Sequence, residues 1–279
     1  MSDLVVKAEN LWFSYDDGNN YSLKGFSLNL ERGKKVAIMG SNGAGKSTFF
    51  LCLNGIHQIS KGALEVDGQP VDYSRKGLLQ LRQKVGIVFQ DPDNQLFSAS
   101  VREEISFGAL NIGMSQEETA AAVDRVMETL EISQFQHRPV HALSGGQKKQ
   151  VTIADVVVMN PKIIILDEPC SSLDPKHTEI VNSIVNYLSD QGITVLMSTH
   201  NVDYAHQWAD EVVVIHDGKV VCHDVPEKVF AETDILAMTN LKKPAAMELF
   251  EALVAKGVLD GNLPVPRSLE QLEDYITTG

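Results

Sequence analysis

Apolar and polar positions alternate through the first part of the chain, in VVKAENLWFSY (5–15) and SLKGFSLNLERG (22–33). A period of two with turn residues between the runs predicts short strands in a small antiparallel β region. KKVAIMG (34–40) reads as a buried strand ending in glycine, with a helix following from Lys46 to about Leu53. GALEVDGQPVDY (62–73) predicts a hairpin closed at Asp67-Gly68. Residues 115–131 carry a leading serine, early acids and apolar positions three and four apart, which predicts a capped helix. PKIIILDEP (161–169) and GITVLMSTH (192–200) are unbroken apolar runs, the mark of strands covered on both faces in a parallel sheet. The amphipathic segment 175–192 between them predicts a crossover helix, and 210–224 predicts a further strand and hairpin. Beyond Pro226 the periodicity turns helical again, at 244–257 and 268–276. The pattern predicts an α/β fold with a β-rich start, a helical insert around 100–150 and a separate helical tail of about fifty residues.

Composition narrows the function classes. The chain has 279 residues, 43% hydrophobic and 22% charged, enough for a buried core. Its net charge of −13 argues against non-specific nucleic-acid binding, which needs basic surface. Phosphate recognition therefore has to come from local backbone dipoles and a few lysines. Cys52, Cys170 and Cys222 form no CxxC pair, so reduced thiols in a cytosolic compartment are expected. No apolar run is long enough to span a bilayer, so action at a membrane would need a partner.

Three stretches carry chemistry. GSNGAGKST, from Gly40 through Ser41, Asn42, Gly43, Ala44, Gly45, Lys46 and Ser47 to Thr48, fits G-x-x-x-x-G-K-[ST] between a strand and a helix. Its backbone N–H groups would cradle phosphates, Lys46 would add a point charge, and Ser47 would offer a hydroxyl to Mg²⁺. The 161–169 run delivers Asp167 and Glu168 at a strand's C-terminal end, the ligand edge of a parallel sheet. Asp167 is placed to orient Mg²⁺, and Glu168 to activate a water. LSGGQKKQ (143–150) starts a helix at the N-cap Ser144, a second anion-binding terminus about a hundred residues from the first.

Taken together, these motifs resemble the ATP-binding cassette (ABC) ATPases over nearly all of Leu11 to Val225. LSGGQ (143–147) matches the family signature, Gln90 in VFQDP the Q-loop, Asp174 in SSLDP the D-loop, and His200 the switch histidine. Tyr15 is placed like the aromatic residue that stacks on adenine. The resemblance implies a P-loop NTPase fold: an N-terminal antiparallel β subdomain, a parallel-sheet core, a helical signature subdomain at about 91–160, and a small C-terminal helical extension at 226–279 after an ATPase domain at 1–225. It also implies a head-to-tail dimer, with ATP and Mg²⁺ between one copy's cradle and the other's Ser144, Gly145, Gly146 and Gln147. In that arrangement Ser47 and Gln90 help Asp167 hold Mg²⁺. His200 contacts the γ-phosphate, and Asp174 links the two sites.

Segments 72–86, 88–118 and the tail resemble the energy-coupling-factor branch, whose members are called EcfA or CbiO. That implies a peripheral subunit at the cytoplasmic face of the membrane, dimerising with itself or a related ATPase. It would work with a CbiQ/EcfT-like scaffold and a CbiM-like substrate-binding subunit, to import cobalt or nickel, or alternatively a vitamin. Leu96, Phe97 and Val101, amid acids after the Q-loop, are expected to form the groove that receives membrane-subunit helices. Three positions depart from the family: Cys170 for threonine, Gln150 for arginine, and Asp155 for a small or basic residue. His137, His141, His216 and His223 read as surface and hairpin histidines rather than a metal relay. A soluble ABC ATPase acting on DNA or ribosomes lacks its expected coiled-coil insertion or second cassette here. A simple P-loop kinase would leave 143–147 and His200 without a role.

Overall fold

The computed structural model describes residues 3–16 and 18–278. The chain opens with β1 (Leu4–Ser14) and β2 (Tyr21–Glu31), followed by β3 (Lys35–Met39) and helix α1 (Lys46–Leu53). Next come β4 (Lys61–Val66), β5 (Gln69–Pro70), α2 (Arg75–Lys84) and β6 (Val85–Val88). Three helices then follow in a row: α3 (Val101–Asn111), α4 (Gln116–Thr129) and α5 (Gly145–Val157). The chain returns through β7 (Ile163–Asp167), α6 (Pro175–Asp190), β8 (Thr194–Ser198), α7 (Val202–Trp208), β9 (Glu211–His216) and β10 (Lys219–Asp224). It closes with α8 (Pro226–Val229), α9 (Thr233–Thr239), α10 (Ala245–Ala255) and α11 (Leu269–Thr278).

Two sheets result, an antiparallel one ordered β2-β1-β4-β5 and a six-stranded one ordered β10-β9-β3-β8-β7-β6. In the second sheet β6 to β9 and β3 run parallel, with β10 antiparallel at the edge. The first two strands are longer than the expected short runs. Each spans 11 residues, because register shifts near Asn10 let the chain bend without ending the ladder.

The unbroken apolar runs have a direct explanation in the core. Val36, Ile38, Ile163, Ile165, Leu196 and Val213 pack with the antiparallel sheet and Phe49 and Phe50 of α1. Their strand neighbours Ala37, Met39, Ile164, Leu166, Val195, Met197, Val212 and Val214 face the other way, toward the helical layer. Alternate residues thus serve two cores, so neither set can be polar. Asp67, in the turn between β4 and β5, pins the antiparallel sheet to the central one. Its carboxylate accepts from Arg32 at 2.7 Å, Lys162 at 2.8 Å and Lys84 at 3.0 Å.

After Pro226 the chain stays against the core. Phe230, Leu236 and Met247 join the helical-side cluster. Ala245 N–H donates to Asp203 Oδ1 at 2.6 Å, His206 Nε2 to the Pro266 carbonyl at 3.0 Å, and Arg267 Nη1 to the Ala209 carbonyl at 2.7 Å. Among the described residues no helix is long and apolar enough to cross a membrane.

The helical layer buries acids. Glu104 of α3 is fully buried, with Oε2 accepting from Phe97 N–H at 2.9 Å and Ser98 N–H at 2.6 Å. Asp155 of α5 accepts from the Gln95 amide at 3.2 Å. Its bulk is set against Gly108 of α3, where an added Cβ would lie 3.1 Å from Asp155 Oδ1. Burial pushes the Asp155 carboxyl up to about 7, the Glu104 charge adds to the rise, and the Gln95 amide opposes it. A folded value above the usual 3.8 means that the native chain holds a proton the unfolded chain has released. Stability therefore falls as pH rises from about 4 to about 7, and the full cost is present above that window. Asp155→Asn should leave stability unchanged near pH 4 and raise it at pH 8, by at most about 4 kcal/mol. Urea unfolding at the two pH values measures the difference.

Candidate active site

The cleft forms where the phosphate cradle meets the C-terminal ends of β7 and β8. It has a volume of about 550 Å³ and is lined by Tyr15, the 42–48 loop, Gln90, Glu168 and His200. A larger hollow of about 770 Å³ lies between the end of α4 and α6. Size alone is therefore no guide, since that hollow has no phosphate-binding loop.

Loop backbone sets the cradle. Gly40 has φ +140°, and a Cβ there would stand 2.2 Å from the Ile215 carbonyl oxygen, so only glycine lets β3 turn into the loop. Lys46, at the first position of α1, is buried, and its ammonium donates to the carbonyls of Gly40 at 2.7 Å and Ser41 at 3.1 Å. Burial lowers its pKa, while Glu168 and Asp167 pull it back up. The ammonium is thus held at the loop's mouth, beside the acids.

Those acids come from a broken alternation. In a continuing strand Asp167 and Glu168 would face opposite sides. Instead β7 ends at Asp167, and Glu168 adopts φ +45°, a left-handed conformation that costs a non-glycine residue roughly 1–3 kcal/mol. Ser198, fully buried at the end of β8, holds the turn. Its hydroxyl donates to Asp167 Oδ1 at 2.5 Å and accepts from Glu168 N–H at 2.8 Å. Asp167 Oδ2 then accepts from Ser47 Oγ at 2.7 Å. Glu168 Oε2 accepts from Gln90 Nε2 at 3.2 Å, and Oε1 lies 2.8 Å from His200 Nε2. Gln90 Nε2 also reaches Ser171 Oγ at 3.4 Å.

Tyr15 is 61% exposed at the rim. Its ring stands edge-on to Phe13 and His57 at 4.9 and 5.1 Å, and its hydroxyl lies 3.2 Å from Thr48 Oγ1. The ring is thus largely uncovered at the rim of the cleft.

The signature residues and Asp174 do not line this cleft. Ser144 caps α5 as expected: its Oγ accepts from Gln147 N–H at 3.3 Å, while Gln147 Oε1 accepts from Ser144 N–H at 3.1 Å. Ser144 and Gly145 are exposed, whereas Gly146 is buried under His177, whose ring a Cβ would meet at 2.0 Å. Asp174 caps α6 through His177 N–H at 3.0 Å and holds His177 Nδ1 at 2.6 Å. Among the groove residues expected after the Q-loop, Val101 is a correction. It is fully buried at the first position of α3, and Leu96 packs against the core. The exposed apolar pair is Phe97 with Phe107, edge-to-face at 4.9 Å. Among the described residues no three His, Cys, Asp or Glu side chains converge on a metal position, and His223 instead meets Glu211 at 2.8 Å.

Residues 23–171 match the ABC transporter family model. The chain belongs to the ABC transporter family. It is closely related to energy-coupling-factor ATP-binding subunits, being 44% identical to EcfA2 of Clostridium perfringens over 92% of this chain and 90% of that protein. Among solved structures it is similar to cbiO1 of Clostridium perfringens, described as part of the ABC transporter complex cbiONQ. That chain is 44% identical, with 90% of this chain and 100% of the other covered, and a TM-score of 0.75. A dimeric post-hydrolysis cassette, MJ0796 bound to ADP and Pi, is 29% identical, with 79% of this chain and 98% of the other covered, and a TM-score of 0.72. As a member of this family the ATPase binds ATP and hydrolyses it.

Motif reading passed over two residues that hold the site's acids and amide, Ser198 and Ser171. Ser198 becomes recognisable only once the strands are paired, since it ends β8 opposite Asp167 of β7. Ser198→Ala strands the Glu168 N–H and removes a donor from Asp167. It should cost about 1–3 kcal/mol of stability and also slow turnover. Urea unfolding and steady-state ATPase assays on the same preparation check both effects.

Proposed function

We propose that two copies of this ATPase, or one copy and a related subunit, pack head to tail, each completing the other's site. One observation carries this reading. The N-terminus of α5, with Ser144 and Gly145 exposed, is built as an anion site yet does not line its own chain's cleft. MJ0796, dimeric with ADP and Pi bound, shows that a related cassette dimerises. In the paired arrangement Tyr15 stacks on adenine and the 40–48 loop with Lys46 grips the phosphates. Ser144, Gly145, Gly146 and Gln147 of the other copy close over the γ-phosphate, and Asp174 links the two sites. Glu168 takes a proton from the attacking water as ADP leaves, and His200 and Gln90 orient the same carboxylate and the γ-phosphate. Ser47 Oγ and Asp167 Oδ2, hard oxygens 2.7 Å apart, fit Mg²⁺, with Gln90 as a further ligand. Bound there, Mg²⁺ supplies neutralising charge to the phosphates.

The chain is the ATP-binding subunit of an energy-coupling-factor type transporter. We infer that it sits peripherally on the cytoplasmic face of the membrane. The exposed Phe97–Phe107 pair, beside the Q-loop, docks the CbiQ/EcfT-like scaffold that works with a CbiM-like subunit. Cobalt or nickel is the cargo this reading favours, on the CbiO-like segment 72–86; a vitamin is the alternative. Nucleic acid is not a partner, given the net charge of −13.

Glu168→Gln should give dimers that form with ATP and persist on size-exclusion chromatography, with hydrolysis reduced at least about a hundredfold. Adding Ser144→Arg to that variant should abolish the dimer while leaving nucleotide binding by the monomer nearly intact. A dimer surviving Ser144→Arg would refute the head-to-tail arrangement. Purification of the tagged chain from native membranes should bring down an integral membrane subunit, and Phe97→Asp should release it.

A further inference from the structure

Lys149 lies on α5, five residues after the Ser144 cap, and is 1% exposed. Its ammonium donates to two main-chain carbonyls, those of Phe89 and Gln90, each at 2.8 Å. No carboxylate among the described residues forms an ion pair with it; Asp91, Asp167 and the Cys170 thiol face it from farther away. Burying an ammonium with no counter-charge is costly, and an apolar side chain would fill the same volume without that cost. The position therefore trades stability for something the two carbonyls need.

That need is visible in the sheet. The β6–β7 ladder ends at the pair Val88↔Leu166, so the Phe89 and Gln90 carbonyls lie beyond the last strand pairing. Phe89 N–H has only a long contact, 3.4 Å, to Gln95 Oε1. Two carbonyls drawn to one ammonium fix the successive peptide planes on either side of the Gln90 Cα. They thereby set where the Gln90 side chain starts. Its amide is what reaches Glu168 Oε2 at 3.2 Å.

We propose that Lys149 is a positioning residue for ATP hydrolysis: it clamps the backbone of Gln90 to the signature helix, so that displacement of α5 moves the Gln90 amide relative to Glu168. The proposal rests on the reading that Gln90 and Glu168 serve hydrolysis. Lys149 touches no reacting atom and acts only through Gln90.

A double-mutant cycle on the full-length ATPase separates this role from a merely structural one. Lys149→Met should lower kcat about tenfold while the KM for ATP moves less than about threefold. Gln90→Ala should lower kcat by at least as much. The double variant should be no more than about twofold slower than Gln90→Ala alone, because the clamp has nothing left to position. Lys149→Gln, which keeps an amide donor, should recover part of the lost rate. It also carries the same cycle if Lys149→Met proves unfolded by circular dichroism. A wild-type kcat in the Lys149 variants, or the same fold loss with and without Gln90, would overturn the proposal. Gln90→Ala turning over at the wild-type rate would instead remove the Gln90 reading beneath it, and the proposal with it.

Discussion

The cleft depends on one buried hydroxyl. Ser198 joins β8 to the end of β7: its hydroxyl donates a hydrogen bond to Asp167 Oδ1 and accepts one from the Glu168 backbone N–H. That pair of bonds, with the Ser171 N–H donating to the Glu168 carbonyl at 3.1 Å, holds Glu168 at φ +45°. The next residues in the network depend on it in turn: Ser47 on Asp167, and Gln90 and His200 on Glu168. Three strand ends and the phosphate loop are thus fixed by a chain of short polar contacts at the edge of an apolar sheet. Such contacts are worth most where water is scarce.

Much of this was legible from residue order. The apolar runs at 161–169 and 192–200 announced strands covered on both faces, and the sheet sends their alternate residues into two cores. The capping serines at 115 and 144 stand where their sequence neighbours placed them, each with its reciprocal Glu118 or Gln147. The 42–48 loop, Glu168, Gln90 and His200 line one cleft because these motif residues follow strands of the central sheet, whose ends converge at one edge; Asp167 is held beside it by Ser47, and Tyr15 joins from the end of β1 in the antiparallel sheet.

What stayed hidden depends on register and burial. A serine closing an apolar strand carries no mark of which neighbour it will face, so Ser198 was invisible until β7 and β8 were paired. Lys149 sits in a polar run where a lysine ordinarily faces solvent, and only the packing of α5 on the Q-loop turns it inward. Val101 reads as part of an exposed patch from its acidic neighbours, yet the Ser100 cap starts a helix whose first residue points into the core. Its place on the surface is taken by Phe107, six residues further along the same helix.

The contact between Gly146 and His177 leaves no slack. A methyl group there would overlap the imidazole, so α5 and the start of α6 meet at the closest approach that backbone and ring allow. The same imidazole is fastened to Asp174 at 2.6 Å. Within one chain, the signature loop and the aspartate loop are therefore geared rather than independent. A tilt of one that closes this gap must push the other, so the two loops shift as a unit.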